Sequence, residues 1–64
     1  MLIEAMRKRK RMTQTELAIA VGVTQPSISD YESGKKRPTI DTAKKLADAL
    51  GCTVDDLLKD AKAV

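Results

Sequence analysis

Thr13-Gln14-Thr15-Glu16-Leu17-Ala18-Ile19-Ala20-Val21-Gly22-Val23-Thr24-Gln25-Pro26-Ser27-Ile28 is the stretch on which the fold turns. Thr13 and Glu16 stand in capping-box spacing: the threonine hydroxyl accepts the N–H three residues on, and the glutamate reaches back to the threonine N–H. Leu17, Ala18 and Val21 follow at helical intervals. Gly22 then offers the left-handed residue that ends a helix. Thr24 is an N-cap by position, and Pro26 is tolerated just after it because its missing N–H would be an orphan in a first turn. Two short helices, 14 to 21 and 25 to 33, joined by a three-residue turn, are predicted.

The same punctuation extends outward. Thr53-Val54-Asp55-Asp56 repeats the capping form with aspartate, Thr39 is a further N-cap behind Pro38, and Gly34 and Gly51 each follow an apolar-periodic stretch. Five helices result, at about 2 to 11, 14 to 21, 25 to 33, 40 to 50 and 54 to 61, in a single domain spanning 1 to 64. The apolar stripes are Ile3 and Met6; Leu17, Ala18 and Val21; Ile28 and Tyr31; Ile40, Ala43, Leu46, Ala47 and Leu50; and Val54, Leu57 and Leu58. No strand reading competes, and no helix of this length stands alone.

At 64 residues, a chain buries only roughly 60% of the surface its unfolded form exposes, so the core is marginal and there is no room for a catalytic or effector half. The lone Cys52 excludes an internal disulfide and favours a reducing compartment. With no histidine and one cysteine, a zinc site and histidine-based catalysis are excluded, so no metal, cofactor or enzyme activity is expected. The apolar share of 42% and charged share of 33% describe a globular chain, neither disordered nor membrane-spanning. No leader is read in Met1 to Met6, which predicts a cytoplasmic protein.

The net charge of +3 is unevenly spread. Residues 1 to 38 hold eight basic against four acidic side chains, and residues 39 to 64 four against five. The two basic clusters, Arg7 to Arg11 and Lys35 to Arg37, bracket a segment, 14 to 34, with no basic residue. The net charge hints at a polyanionic partner, and whatever the central segment contacts, it is not the main source of non-specific attraction.

The turn Gly22-Val23-Thr24 has the spacing of a helix-turn-helix. The surrounding residues, Met12-Thr13-Gln14-Thr15-Glu16-Leu17-Ala18, Val21-Gly22-Val23-Thr24, Ile28-Ser29, Tyr31-Glu32-Ser33-Gly34 and Arg37-Pro38-Thr39, resemble the lambda-repressor-like, Cro-type (XRE) helix-turn-helix domains. Leu46-Ala47, Ala49-Leu50-Gly51 and Asp55-Asp56-Leu57-Leu58 continue the resemblance, which covers roughly residues 2 to 59. It implies an all-α, compact five-helix domain whose second and third helices form the helix-turn-helix. It also implies that Arg7 is the interior arginine paired with Glu32, that Gln14 approaches a phosphate, and that a dimer contact lies around helix five.

In a helix-turn-helix the second helix lies in the major groove with its first residues against base edges. Gln25, Pro26, Ser29 and Asp30 are therefore the expected base contacts. A glutamine amide makes a bidentate pair with adenine. Pro26 either packs on a thymine methyl or only pre-organises the turn. Asp30 either selects cytosine through its N4 donor or turns to solvent or a nearby lysine. Gln14, Thr24, Ser27, Ser33, Lys35, Lys36 and Arg37, with Arg9 and Arg11, are the expected phosphate contacts, which position the domain without reading sequence. Tyr31 is expected to pack beneath helix three, Cys52 to behave as a small buried apolar residue, and Asp55-Asp56 to complement a helix dipole.

These expectations converge on sequence-specific binding of double-stranded DNA by a small transcriptional regulator. A repressor on a two-fold symmetric operator is expected, held as a homodimer through an apolar stripe of Leu58, Ala61 and Val64. No small-molecule effector domain is expected, nor any membrane contact. The alternative is a protein-interaction module of the same fold, of antitoxin or coactivator type, with a protein partner and weak non-specific DNA binding.

Overall fold

The computed structural model describes residues 2–58. Its elements are α1 (Ile3–Arg9), α2 (Gln14–Val21), α3 (Gln25–Ser33), α4 (Ile40–Leu50) and α5 (Val54–Leu57), with no strand among the described residues. Each of α2 to α5 begins on a threonine. Thr13 Oγ1 accepts the Glu16 N–H at 3.0 Å while the Thr13 N–H donates to Glu16 Oε1 at 2.8 Å. Thr53 and Asp56 repeat the reciprocal pair at 3.1 and 3.2 Å. Thr24 and Thr39 accept from Ser27 and Thr42 N–H groups. These side chains satisfy donors that a helix start leaves open.

Helix one is shorter than the 2 to 11 expected. It stops at Arg9 because Arg11, not a glycine, takes the left-handed conformation, with φ 56°. The Met12 N–H returns to the Arg7 carbonyl at 3.1 Å and the Arg11 N–H to that of Lys8 at 3.0 Å. This is the double closure of a Schellman end. Gly22 makes the same closure after α2, with φ 76° and the Val23 N–H 3.0 Å from the Ala18 carbonyl. Of the expected fifth helix, α5 covers 54 to 57 with Leu58 as its C-cap; residues 59 to 61 lie outside the described residues.

One core joins all five helices. Ile3, Leu17, Ile28, Leu46 and Leu57 are wholly buried, with Val21 and Leu50 nearly so. Helix α2 packs on α3 and α4, α5 packs on α4, and α1 touches α3 and α4. The Leu2 N–H reaches the Leu57 carbonyl at 2.8 Å, tying the start of the chain to α5. Ile40, read as part of the α4 stripe, is instead 75% exposed. It is the first residue of α4, and the buried stripe begins only at Ala43, so the first turn overhangs the core. Cys52 is half-buried rather than buried, packed against the cluster. Burial, helped by Asp56, pushes its thiol pKa up. Among the described residues no helix is long and apolar enough to cross a membrane.

Candidate nucleic-acid interface

The site is built outward from a buried charge pair. Arg7 Nε donates to Glu32 Oε2 at 2.7 Å, Nη2 to Glu32 Oε1 at 3.3 Å, and Nη1 to the Met12 carbonyl at 2.7 Å. The two side chains are 11% and 6% exposed, so both charges are largely out of water and rely on these bonds. The hydrogen bond to Glu32 raises the Arg7 pKa, with burial opposing it and the charges of Glu32 and Glu4 adding to it. Through this pair α1 is fastened to the end of α3. The Met12 carbonyl is available because the Arg11 turn folds the chain back over Arg7, a partner that helical periodicity does not reveal.

From Glu32 the bonding continues to the surface. Gln14 Nε2 donates to Glu32 Oε1 at 2.9 Å, and Gln25 Nε2 donates to Gln14 Oε1 at 2.6 Å. Gln14 and Gln25 are the first residues of α2 and α3. The three-residue turn brings these two helix starts side by side. Gln14 is half-buried and keeps one amide hydrogen open; Gln25 is exposed and keeps Oε1 and one amide hydrogen open. Nothing in the sequence marked the two amide links, because their partners are 18 and 11 residues apart.

Pro26 is exposed beside Gln25, and Ser29 is half-buried one turn on. Asp30 is half-buried, with Oδ2 at 3.9 Å from Lys36 Nζ, the lysine arrangement left open above. Thr24 and Ser27 share a hydroxyl hydrogen bond of 2.9 Å at the α3 cap. Ser33 Oγ donates to the Asp30 carbonyl at 3.2 Å and accepts the Lys35 N–H at 3.4 Å, which shapes the exposed run Lys35 to Arg37. Arg9 and Arg11 are exposed, with Arg9 Nη1 3.8 Å from Met6 Sδ. Lys10, singled out for no role, lies across the end of α4: a Cβ at Gly51 would meet its Nζ at 3.1 Å. A cation there complements a helix C-terminus that has no basic residue in its own last turn. Leu58 is half-buried; Ala61 and Val64 lie outside the described residues.

Two helices joined by a glycine-led turn, the second carrying an exposed polar start, make a helix-turn-helix by geometry, and the profile of the helix-turn-helix family matches residues 3–57. The chain belongs to the helix-turn-helix family. The expectation of an all-helical, lambda-repressor-like domain stands with that membership. This helix-turn-helix chain is 39% identical over 51 residues to the cryptic phage CTXphi transcriptional repressor RstR of Vibrio cholerae, covering 80% of this chain and 46% of RstR. It is 36% identical over 53 residues to the uncharacterized HTH-type transcriptional regulator YqaE of Bacillus subtilis, covering 83% of this chain and 46% of that one. An uncharacterized HTH-type transcriptional regulator of Methanothermobacter thermautotrophicus is 44% identical over 50 residues, covering 78% of this chain and 72% of its own length. The chain thus spans less than half the length of the first two relatives. No solved structure gives a significant match.

Proposed function

We propose that this chain binds double-stranded DNA sequence-specifically and acts as a small transcriptional regulator, a repressor that occupies a two-fold symmetric operator as a dimer. The observation that carries the reading is Gln25: an exposed amide at the start of α3, held by Gln14 at 2.6 Å, with an acceptor and a donor left open. That pair matches the N6 donor and N7 acceptor of adenine in the major groove. Ser29 and Pro26 flank it at the same helix end. The 3.9 Å approach of Asp30 to Lys36 favours the lysine pairing over selection of cytosine for this carboxylate. The open hydrogen of Gln14, the capping hydroxyls of Thr24 and Ser27, Ser33, and the cations Lys35, Lys36, Arg37, Arg9 and Arg11 supply phosphate contacts around the reading helix. The relatives named as transcriptional repressor or regulator support the same reading.

The test is selection of bound fragments from a random double-stranded DNA library, with the wild-type chain and Gln25→Ala in parallel. A motif with half-sites about 34 Å apart, whose preference at one base pair per half-site relaxes in Gln25→Ala, is the expected outcome. Affinity should fall by roughly 10³ to 10⁵ between 50 and 200 mM salt if six to ten phosphates are contacted. Weak binding with no motif would overturn the reading and point to a protein partner.

A further inference from the structure

We propose that the Glu32 carboxylate determines which way round the Gln25 amide faces, and so sets the discrimination at the base pair that Gln25 reads. The inference rests on the DNA-reading function proposed above. An ionised carboxylate only accepts hydrogen bonds, whereas a primary amide has an accepting oxygen and a donating nitrogen that differ little in size. Arg7 pins Glu32 from the interior through two bonds and cannot be deprotonated. Gln14 faces the carboxylate with Nε2 at 2.9 Å; turned round, it would set oxygen against oxygen. Its own oxygen is therefore turned to Gln25, and the same rule requires Gln25 to present nitrogen, at 2.6 Å. A polarity imposed inside the fold passes through two amides to an exposed one.

The consequence is a fixed order of the open groups on Gln25, with one amide hydrogen on the side of Gln14 and Oε1 beyond it. Adenine offers an acceptor and a donor to this pair, but guanine offers two acceptors, N7 and O6. A freely turning amide can bring its nitrogen to either guanine acceptor. One whose nitrogen is tethered to Gln14 keeps its oxygen outward, against O6. Glu32 is accordingly a positioning residue: it touches no base, and its influence falls on the choice of base more than on affinity as such.

The base pair in question is the one at which Gln25→Ala flattens the preference of the wild-type chain. Glu32→Gln replaces a pure acceptor by a group of the same shape that can donate or accept, and Arg7→Met/Glu32→Gln does so without stranding a buried charge. Each variant is melted to establish cooperative unfolding, then titrated with operators that differ only at this pair. The wild-type preference for adenine, about ten- to hundred-fold, is expected to fall to within about three-fold, while preferences elsewhere in the operator are kept. A folded variant that retains the wild-type preference overturns the proposal. So does a uniform loss on all the operators with their ratios intact, which is what a merely structural ion pair would produce. Where neither variant folds, NMR relaxation of the wild-type side-chain amides decides: order at Gln14 and Gln25 comparable to the backbone supports the proposal, and free averaging overturns it. A wild-type chain with no base preference sinks the DNA-reading function itself, and this inference with it.

Discussion

Arg11 carries a cost at the scale of a single residue. Its φ of 56° lies where Cβ crowds the backbone, so a non-glycine residue is disfavoured there by about 1 kcal/mol. The Schellman closure around Arg7 and Met12 holds it in place. Arg11→Gly should therefore raise stability by at most about 0.5 kcal/mol in urea unfolding, less than the full strain because glycine also frees the unfolded chain. If Arg11 also contacts a phosphate, the same variant should bind DNA more weakly with a shallower salt dependence, so stability and affinity move in opposite directions. A reading of periodicity places residue 11 within the helix, since five basic residues in succession carry no stop signal. The left-handed turn is visible only in the backbone.

Between elements, the decisive contact is the Arg7–Glu32 pair that fastens α1 to α3. Glu32→Ala would leave the guanidinium buried with only the Met12 carbonyl, and should cost about 3 kcal/mol, a large part of the stability of a chain this small. Thermal melting checks it, and an unchanged midpoint would remove the pair from any structural role. The pH dependence has a definite sign. The folded pKa of Arg7 is raised, so its contribution is fully present below the unfolded value and is lost only as pH rises through the folded one, beyond the ordinary arginine range. Across neutral pH, the Arg7 share of the wild-type advantage over Glu32→Ala should therefore be flat. The caps that start α2 to α5 were legible in the sequence because each bond spans three residues. The pairing of Arg7 with Glu32 was legible only through family resemblance, because it spans 25.

For the whole molecule, the remaining question is how many copies act together. One α3 reads too few base pairs to single out an operator, so the proposed dimer must find an apolar contact. Of the stripe proposed for it, Leu58 lies within the described residues, half-buried at the end of α5 next to the wholly buried Leu57. Leu58→Asp should yield monomers by sedimentation, an almost unchanged fold, and operator binding reduced by orders of magnitude, since two half-sites act together only when linked. An unaltered oligomer would place the contact elsewhere, with Ile19 and Ile40, 76% and 75% exposed, the next side chains to change.

The chain alone encodes local features: where helices start and stop, that they are amphipathic, that basic clusters flank a segment with three acidic and no basic side chains, and that a glycine-led turn joins two short helices. These features are written in bonds and periodicities within a few residues, which propensity and spacing encode directly. Ile40 shows the limit, since a helical stripe predicts a buried face but not how far a neighbouring helix extends along it. Packing in three dimensions is what makes the Gln14 and Gln25 amides meet, orients both from Glu32, and lays Lys10 across the end of α4. Each joins groups distant in the chain, and the order of donors and acceptors along such a relay exists only once packing has brought the groups within hydrogen-bond reach.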